Sequence, residues 1–193
     1  MLDNIMLDIE TLGDRPGSVI LTIGACAFDI RTGEIGKEFY VNVTRESCEA
    51  YGLTVNERTL KWWSEQSEEA QAALYSEDAL SLPDALNAFT RFCIDVRKEL
   101  PNGKMFMWGN DTAFDLVLME CAYRACDKVE PWQFWEHRSV RTLVHLGKEE
   151  ANYNPKYDLP REGVHHDALD DAKHQARYCS AIYQKLFGNK EAA

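Results

Sequence analysis

The sequence predicts an α/β fold in which helices flank a mixed sheet of five strands. Three strand-like runs separated by turn residues fill the N-terminal part. The rest shows mainly helical periodicity, with one further strand-like run and one segment that fits either a strand or a short helix. The composition agrees, because 45% apolar and 27% charged residues are typical of a folded domain. We expect a single domain over residues 1–188 and a frayed tail at 189–193.

Three strand-like runs come first, and they are bounded by glycine, proline and other turn residues. They cover residues 4–10, 19–30 and 36–43. In the first run, Asp8 and Glu10 fall on one face and apolar residues on the other. The second run is mostly apolar, as in a central strand. Together the three runs predict an antiparallel meander.

The helices follow the meander. We predict helices over residues 55–63, 68–74, 83–100, 111–125 and 167–187. A strand is expected over 104–108, and 148–164 has the prolines and charges of a loop. For 140–145 the pattern fits a strand and a short helix equally well.

Composition also limits the cellular setting and the class of protein. There is no apolar run long enough to span a bilayer and no signal-peptide pattern at the start, so a cytoplasmic protein is expected. None of the six cysteines forms a CxxC pair, and buried free thiols are expected. The net charge of −11 argues against a simple nucleic-acid-binding module, since those domains usually have a basic face.

Asp8 and Glu10 are the first candidate functional residues. Two carboxylates on one face of a central, covered strand are costly unless they are paired or bound to a metal. A solvent-facing edge strand is the alternative, and these two residues alone do not decide between them.

Asp115 and Asp171 are two further candidate carboxylates, each on a helix. Asp115 lies beside the apolar stripe of helix 111–125, although an acidic residue is also favoured near a helix N-terminus. Asp171 lies on the apolar stripe of the last helix, where a carboxylate needs a partner such as a metal ion. His166 precedes that helix. A lone histidine there is usually structural, but four acidic companions favour catalysis.

These residue types suit phosphodiester hydrolysis. Two divalent ions activate a water molecule and stabilise the leaving oxygen, and Mg²⁺ prefers oxygen ligands. A histidine that titrates near neutral pH is a suitable base for that water.

Three segments, in this order, resemble the exonuclease motifs of the DEDD superfamily. They are Asp8–Thr11, Asn110–Asp115 and His166–Ala172. The spacing from His166 to Asp171 matches the DEDDh subgroup, in which histidine is the general base. The resemblance covers nearly the whole chain. It implies an RNase H-like fold and 3′-to-5′ cleavage with two Mg²⁺ or Mn²⁺ ions.

The resemblance also assigns roles by position. It implies metal ligands at Asp8, Glu10, Asp115 and Asp171. It implies a general base at His166, with His165 as the main rival. Four residues would lie beside the terminal nucleotide: Thr11, Leu12, Asn110 and Phe114.

Two more segments, Leu60–Gln66 and Arg138–Leu143, are similar to a phage- and prophage-encoded branch described as exoribonucleases. Under this narrower resemblance, Trp63 or Gln66 would contact a base. Arg138 and Arg141 would bind phosphate. Core packing for the tryptophan and surface salt bridges for the arginines are the alternatives.

The expected partners are 3′ ends of single-stranded DNA or RNA, and a homodimer is possible. Two rival functions stay open at this point. One is a metal-dependent nucleotidase or phosphodiesterase that acts on small nucleotides, which the net charge of −11 mildly favours. The other is an inactive module that binds nucleic-acid ends, which the presence of all five expected residues disfavours.

Overall fold

In the computed structural model, which describes residues 1–71 and 76–188, a five-stranded sheet has the order β3-β2-β1-β4-β5. Its strands are β1 (Asn4–Thr11), β2 (Ile20–Phe28), β3 (Ile35–Asn42), β4 (Phe106–Gly109) and β5 (His137–Ser139). β1, β2 and β3 pair antiparallel, whereas β4 pairs parallel with both β1 and β5. The predicted mixed sheet and its three-strand meander are therefore confirmed.

Seven α-helices surround this sheet in the part of the chain that the structure describes. They are α1 (Arg45–Ala50), α2 (Glu57–Trp63), α3 (Glu68–Gln71), α4 (Leu82–Lys98), α5 (Val117–Ala125), α6 (Val140–Ala151) and α7 (Ala168–Phe187). The side chains of Asn56, Ser81 and Asp167 cap α2, α4 and α7 by accepting bonds from backbone N–H groups. The predicted starts of these three helices agree with the observed starts to within two residues.

Several boundaries differ from the predictions. Residues 140–145 belong to α6, which Ser139 caps by accepting from the Thr142 N–H and which continues to Ala151. The predicted loop over 148–164 therefore starts later. α1 and β5 were not predicted, because six and three residues are too short to show a period. The last part of the predicted helix 68–74 and the tail 189–193 lie outside the described residues.

β1 is the central strand and is buried along its whole length. Ile5, Leu7 and Ile9 pack into the apolar cluster formed with α4 and α5, whereas Met6 packs into the cluster formed with α6 and α7. Because side chains alternate along a strand, Asp8 and Glu10 face the same side as Met6, towards α7. An edge strand with solvent-facing carboxylates is thus excluded.

α7 lies very close to the sheet. A Cβ atom on Gly24 of β2 would lie 2.2 Å from the carbonyl carbon of Ala168, so only glycine fits there. The buried residues Ala168, Ala172 and Ala176 present small side chains along the same helix. This close packing fixes the position of Asp171 relative to β1.

Two expectations from composition can be compared with the structure. All six cysteines are free thiols, and four of them are buried as predicted, whereas Cys121 and Cys126 are partly exposed. Among the described residues, no helix combines the length and the apolar composition that a membrane span requires.

Candidate active site

A cleft of 750 Å³ opens where β1 and β4 end. Because β1 and β4 run parallel, their carboxyl ends meet at the same edge of the sheet, where ligands commonly bind in α/β proteins. The start of α7 and the irregular segment before it form the opposite wall. Six acidic side chains line this cleft: Asp8, Glu10, Asp111, Asp115, Asp158 and Asp171.

Asp8 and Glu10 come from the last part of β1, and each is only 8% exposed. The register of β1 against β2 shifts directly after Glu10, as at a β-bulge, which can re-aim the neighbouring side chains. One carboxylate oxygen from each of Asp8, Glu10 and Asp171 lies within 4.8 Å of the other two. Two distant segments of the chain thus bring three carboxylates together.

Asp115 reaches the cleft from a π-helical turn, Thr112–Leu116, that precedes α5. The sequence predicts an α-helix there; instead the turn is widened, as single π-turns at functional sites often are. The Asp115 side chain is 2% exposed, and its Oδ2 accepts a 3.2 Å bond from the Asp111 N–H. It also packs on Gly109, where a Cβ would lie 3.1 Å from that oxygen.

Asp171 lies in the first turn of α7, where the sequence places it on the core-facing stripe. Its Oδ1 forms an ion pair with the guanidinium of Arg161, which comes from the segment between α6 and α7. Among the described residues, this is the one ion pair from an arginine or lysine to any of Asp8, Glu10, Asp115 and Asp171. One positive charge facing several buried carboxylates leaves an excess of negative charge.

This excess changes the proton affinity of the site. Burial, together with repulsion from Asp115, Glu10 and Asp171, raises the pKa of Asp8 well above its usual range. Burial and the neighbouring aspartates likewise raise the pKa of Glu10. Burial raises the pKa of Asp115 to about 7. A bound cation would oppose these shifts, because it favours the ionised form of each carboxylate.

The donor set fits hard divalent cations. Carboxylate oxygens are the ligands that Mg²⁺ and Mn²⁺ prefer, and three of them already lie within 4.8 Å of one another. Asp115 lies close enough to add to the raised pKa of Asp8. The four predicted carboxylates therefore share one negatively charged cleft.

His166 lies beside the carboxylates, with its Nδ1 4.0 Å from Oε1 of Glu10. Its backbone has a φ of 66°, a left-handed conformation that non-glycine residues seldom adopt outside functional or turn positions. The indole ring of Trp62 packs edge-to-face on the imidazole at 4.9 Å between centroids. Burial and the neighbouring His165 lower the pKa of His166, so the ring is neutral at neutral pH.

His165 is exposed and also lines the cleft. The two imidazole centroids are 3.9 Å apart, and both rings have a nitrogen within 4.8 Å of an Asp171 oxygen. Proximity to Asp171 therefore does not distinguish His165 from His166. His166 differs in that its ring also lies near Glu10 and packs on Trp62.

Gln175 is a cleft residue that sequence analysis did not identify. Its Nε2 donates a 2.7 Å hydrogen bond to Oδ1 of Asp8, and the side chain is buried. One signal was present: Gln175 follows Asp171 by one helical turn, so it faces the same way. Further lining residues were also missed, because they lie in an aperiodic segment: Lys156, Tyr157, Asp158, Leu159, Pro160 and Arg161.

The predicted substrate contacts divide into two groups. Asn110, Phe114 and Arg141 line the cleft. Thr11 and Leu12 are 7% and 1% exposed and do not belong to the lining. The Thr11 hydroxyl donates to the Gly13 carbonyl, which stabilises the chain just after β1.

Three predicted contacts need correction. Trp63 is 1% exposed and its indole N–H donates to the Thr11 carbonyl, so it is a core residue with no free face for a base. Gln66 does not line the cleft, and its amide donates to the Trp62 carbonyl. Arg138 lies over the Phe106 ring at 4.2 Å and lines a different pocket.

Trp62 is the tryptophan nearer to solvent. Its ring packs on His166, and its side chain is 39% exposed.

Comparison with known proteins gives one family match. Residues 3–183 match the family model described as the 3′-5′ exoribonuclease Rv2179c-like domain. No curated protein gives a significant match to this chain.

Three solved structures that are similar to this chain are nucleases. Cell-death related nuclease 4 superposes with a TM-score of 0.65 at 15% identity, over 97% of this chain and 64% of that one. The nuclease domain of 3′hExo, described as a DEDDh family member bound to rAMP, gives 0.60 at 15% identity, over 96% and 92%. Exonuclease I of E. coli, in a zinc-bound complex with single-stranded DNA, gives 0.60 at 13% identity, over 96% and 41%.

These likenesses confirm the RNase H-like fold. The chain spans less than two thirds of the nuclease 4 and exonuclease I chains, and nearly all of the 3′hExo domain.

Proposed function

This chain belongs to the family of the Rv2179c-like 3′-5′ exoribonuclease domain, and from that premise we propose that it hydrolyses single-stranded nucleic acid from the 3′ end, releasing 5′-mononucleotides. The observation that carries the proposal is the grouping of Asp8, Glu10 and Asp171 within 4.8 Å in a cleft that His166 also lines. The family match supports 3′-5′ exonuclease activity, and one solved neighbour is described as a DEDDh family member.

In this mechanism Asp8, Glu10, Asp115 and Asp171 would hold two Mg²⁺ or Mn²⁺ ions. Bound there, the ions would supply a nucleophilic water and stabilisation of the leaving oxygen. Gln175 keeps the Asp8 carboxylate oriented through its hydrogen bond. Asn110, Phe114 and Arg141 line the part of the cleft where the terminal nucleotide would lie.

His166 would act as the general base. Its lowered pKa keeps the imidazole neutral and able to accept a proton near pH 7. The contact with Trp62 holds the ring in one orientation, and Nδ1 faces Glu10. Nε2 is then the nitrogen available for the proton of the attacking water.

The test is a time course on 5′-labelled single-stranded RNA and DNA of the same sequence, with Mg²⁺. We compare the wild type with Asp171→Asn and with Asp95→Asn, which removes an equal charge on the exposed side of α4. We expect a ladder that shortens from the 3′ end in the wild type and in Asp95→Asn, and none in Asp171→Asn.

Other outcomes would identify the rival functions. Hydrolysis of mononucleotides without shortening of either strand would indicate a nucleotidase. Binding of the strands without any hydrolysis would indicate an inactive end-binding module. The phage or prophage branch, a cytoplasmic location and a homodimer stay predictions.

A further inference from the structure

A second cavity of 230 Å³ adjoins the acidic cleft. Four residues line both spaces, so they form one continuous surface: Asn110, Arg141, Lys156 and Tyr178. The remaining lining residues belong to α6: Val140, Val144, His145 and Lys148. The cavity therefore extends the cleft along α6, away from the four carboxylates.

The charge of this second cavity is opposite to that of the cleft. Arg141, His145 and Lys148 lie at positions i, i+4 and i+7 of α6, which share one face of a helix. Lys156 joins them from the segment between α6 and α7. No carboxylate lines this cavity within the described residues, although the chain has 32 acidic and 21 basic side chains.

The lysine and arginine side chains that line this second cavity have few carboxylate partners. Neither Lys148 nor Lys156 forms an ion pair with a carboxylate in the part of the chain that the structure describes. Arg141 lies 3.7 Å from Asp111, with its side chain 69% exposed, so this ion pair is weak. Cations without carboxylate partners are available to an anionic ligand.

We propose that this basic subsite, lined by Arg141, His145, Lys148 and Lys156, binds backbone phosphates of the nucleotides on the 5′ side of the one removed. The inference rests on the proposed function and narrows its substrate class to oligonucleotides, because a mononucleotide has no phosphate that would reach beyond the cleft. It also explains how a chain of net charge −11 binds a polyanion, because a local group of positive side chains attracts the phosphates despite the negative charge of the whole chain.

The experiment compares a 5′-fluorescein-labelled RNA octamer with the dinucleotide ApA, whose single phosphate is the scissile one. The variant is Lys148→Glu, because Lys148 lines the second cavity and not the cleft. The control is Lys104→Glu, which reverses one exposed charge at a residue that lines neither cavity. KM and kcat are measured for both substrates, and octamer binding is measured separately by fluorescence anisotropy with Ca²⁺ at several salt concentrations.

For the variant we expect the octamer KM to rise between about twofold and about 25-fold, because charge reversal removes one attraction and adds one repulsion, each a factor of roughly 1.4 to 5. The ApA kinetics and the octamer kcat should not change. The slope of log affinity against log salt should become shallower by about 0.7 for each phosphate that the variant no longer neutralises. The control should match the wild type.

An unchanged octamer KM, or equal losses on the octamer and ApA, would overturn the subsite. Failure of the proposed function is a different result: the wild type would hydrolyse neither substrate. The anisotropy measurement still decides the subsite in that case, because it needs no turnover. Equal affinity of the variant and the wild type for the octamer would then reject it.

Discussion

Nε2 of Gln175 donates a 2.7 Å hydrogen bond to Oδ1 of Asp8, which joins α7 to the central strand across 167 residues of sequence. This bond is a direct polar link between the two elements that carry Asp8, Glu10 and Asp171, three of the four predicted metal ligands. It favours the ionised form of Asp8 and lowers its pKa, against the larger effect of burial. Gln175 therefore favours the ionised form of Asp8, which is the form that a cation would bind.

Gln175→Met should weaken metal binding without removing a ligand. A hydrogen bond to a charged group contributes about 1.5–3 kcal/mol, and 1.4 kcal/mol is a factor of about ten. We therefore expect the Mg²⁺ concentration at half-maximal activity to rise about tenfold or more. Gln184→Met is the matched control, because Gln184 bonds the Arg31 carbonyl near the other end of α7. An unchanged Mg²⁺ dependence would show that Asp8 does not need this bond.

His166→Ala should lower kcat by a factor of about 10² to 10⁴, the usual contribution of a general base. His165→Ala, the adjacent control, should retain most activity. Both variants should still bind Mn²⁺ in calorimetry, since the carboxylates are intact. The opposite ranking of the two variants would assign the base to His165.

The same assignment predicts the pH profile at saturating Mg²⁺. A base must be neutral, so kcat falls as the pH drops through the pKa of His166. Burial and His165 lower that pKa from its ordinary 6.5, which places the acidic limb below pH 6.5. The limb should disappear in His166→Ala. A limb that persists there would belong to another group.

Much of this site was predictable because its parts are periodic. Asp8 and Glu10 stand out on an apolar strand, and Asp171 stands out on the apolar stripe of a helix. Gln175, Lys156 and Arg161 were not predictable in the same way. A glutamine on a helix has many ordinary uses, and the segment before α7 has no period to analyse. The error on Trp63 has a similar cause, since sequence does not say which of two adjacent tryptophans faces the core.

The fold was predictable where its elements are long and periodic, and not where they are short. The meander and the long helices have clear periods and caps, whereas α1 and β5 are too short to show one. The π-helical turn that carries Asp115 was not predictable, and the Asp115 side chain packs on Gly109, a tertiary contact that the local sequence pattern does not encode.

Metal-free protein should become less stable as the pH rises from about 4 to about 7. Asp8, Glu10 and Asp115 have raised pKa values in the folded state, the last from 3.8 to about 7. In that window the folded protein keeps protons that the unfolded chain has lost, so the free energy of unfolding falls with pH. Melting curves in EDTA between pH 4 and pH 8 test this, and a Tm that rises across the window would contradict it.

Asp115→Asn extends this test. The neutral isostere removes one of the repelling charges, and its Oδ1 can still accept the Asp111 N–H. In EDTA at pH 8 we expect a higher Tm than in the wild type, by roughly 2–4 °C for each kcal/mol gained. Mg²⁺ should raise the Tm of the wild type and have a smaller effect on this variant.

Arg161→Gln should make the first metal ion bind more tightly in the absence of substrate. The Arg161 guanidinium pairs with Asp171, so a cation must compete with it for that carboxylate. Calorimetry with Mn²⁺ measures the change. Arg177→Gln is the control, because its partner Glu162 lies outside the cleft lining. Weaker binding in Arg161→Gln would mean that Arg161 supports the metal-bound state instead.

Gly24→Ala should reduce stability and activity together, because it acts on the placement of α7. The new Cβ would lie 2.2 Å from the Ala168 backbone, and backbone atoms cannot move aside as a side chain can. Overpacking of this kind costs about 1–3 kcal/mol, and the displaced helix carries Asp171 and Gln175 away from Asp8. Gly36→Ala is the control, since its Cβ would meet only the flexible end of Leu2. Equal Tm values and equal kcat for the two variants would show that close packing of α7 on β2 does not set the geometry of the site.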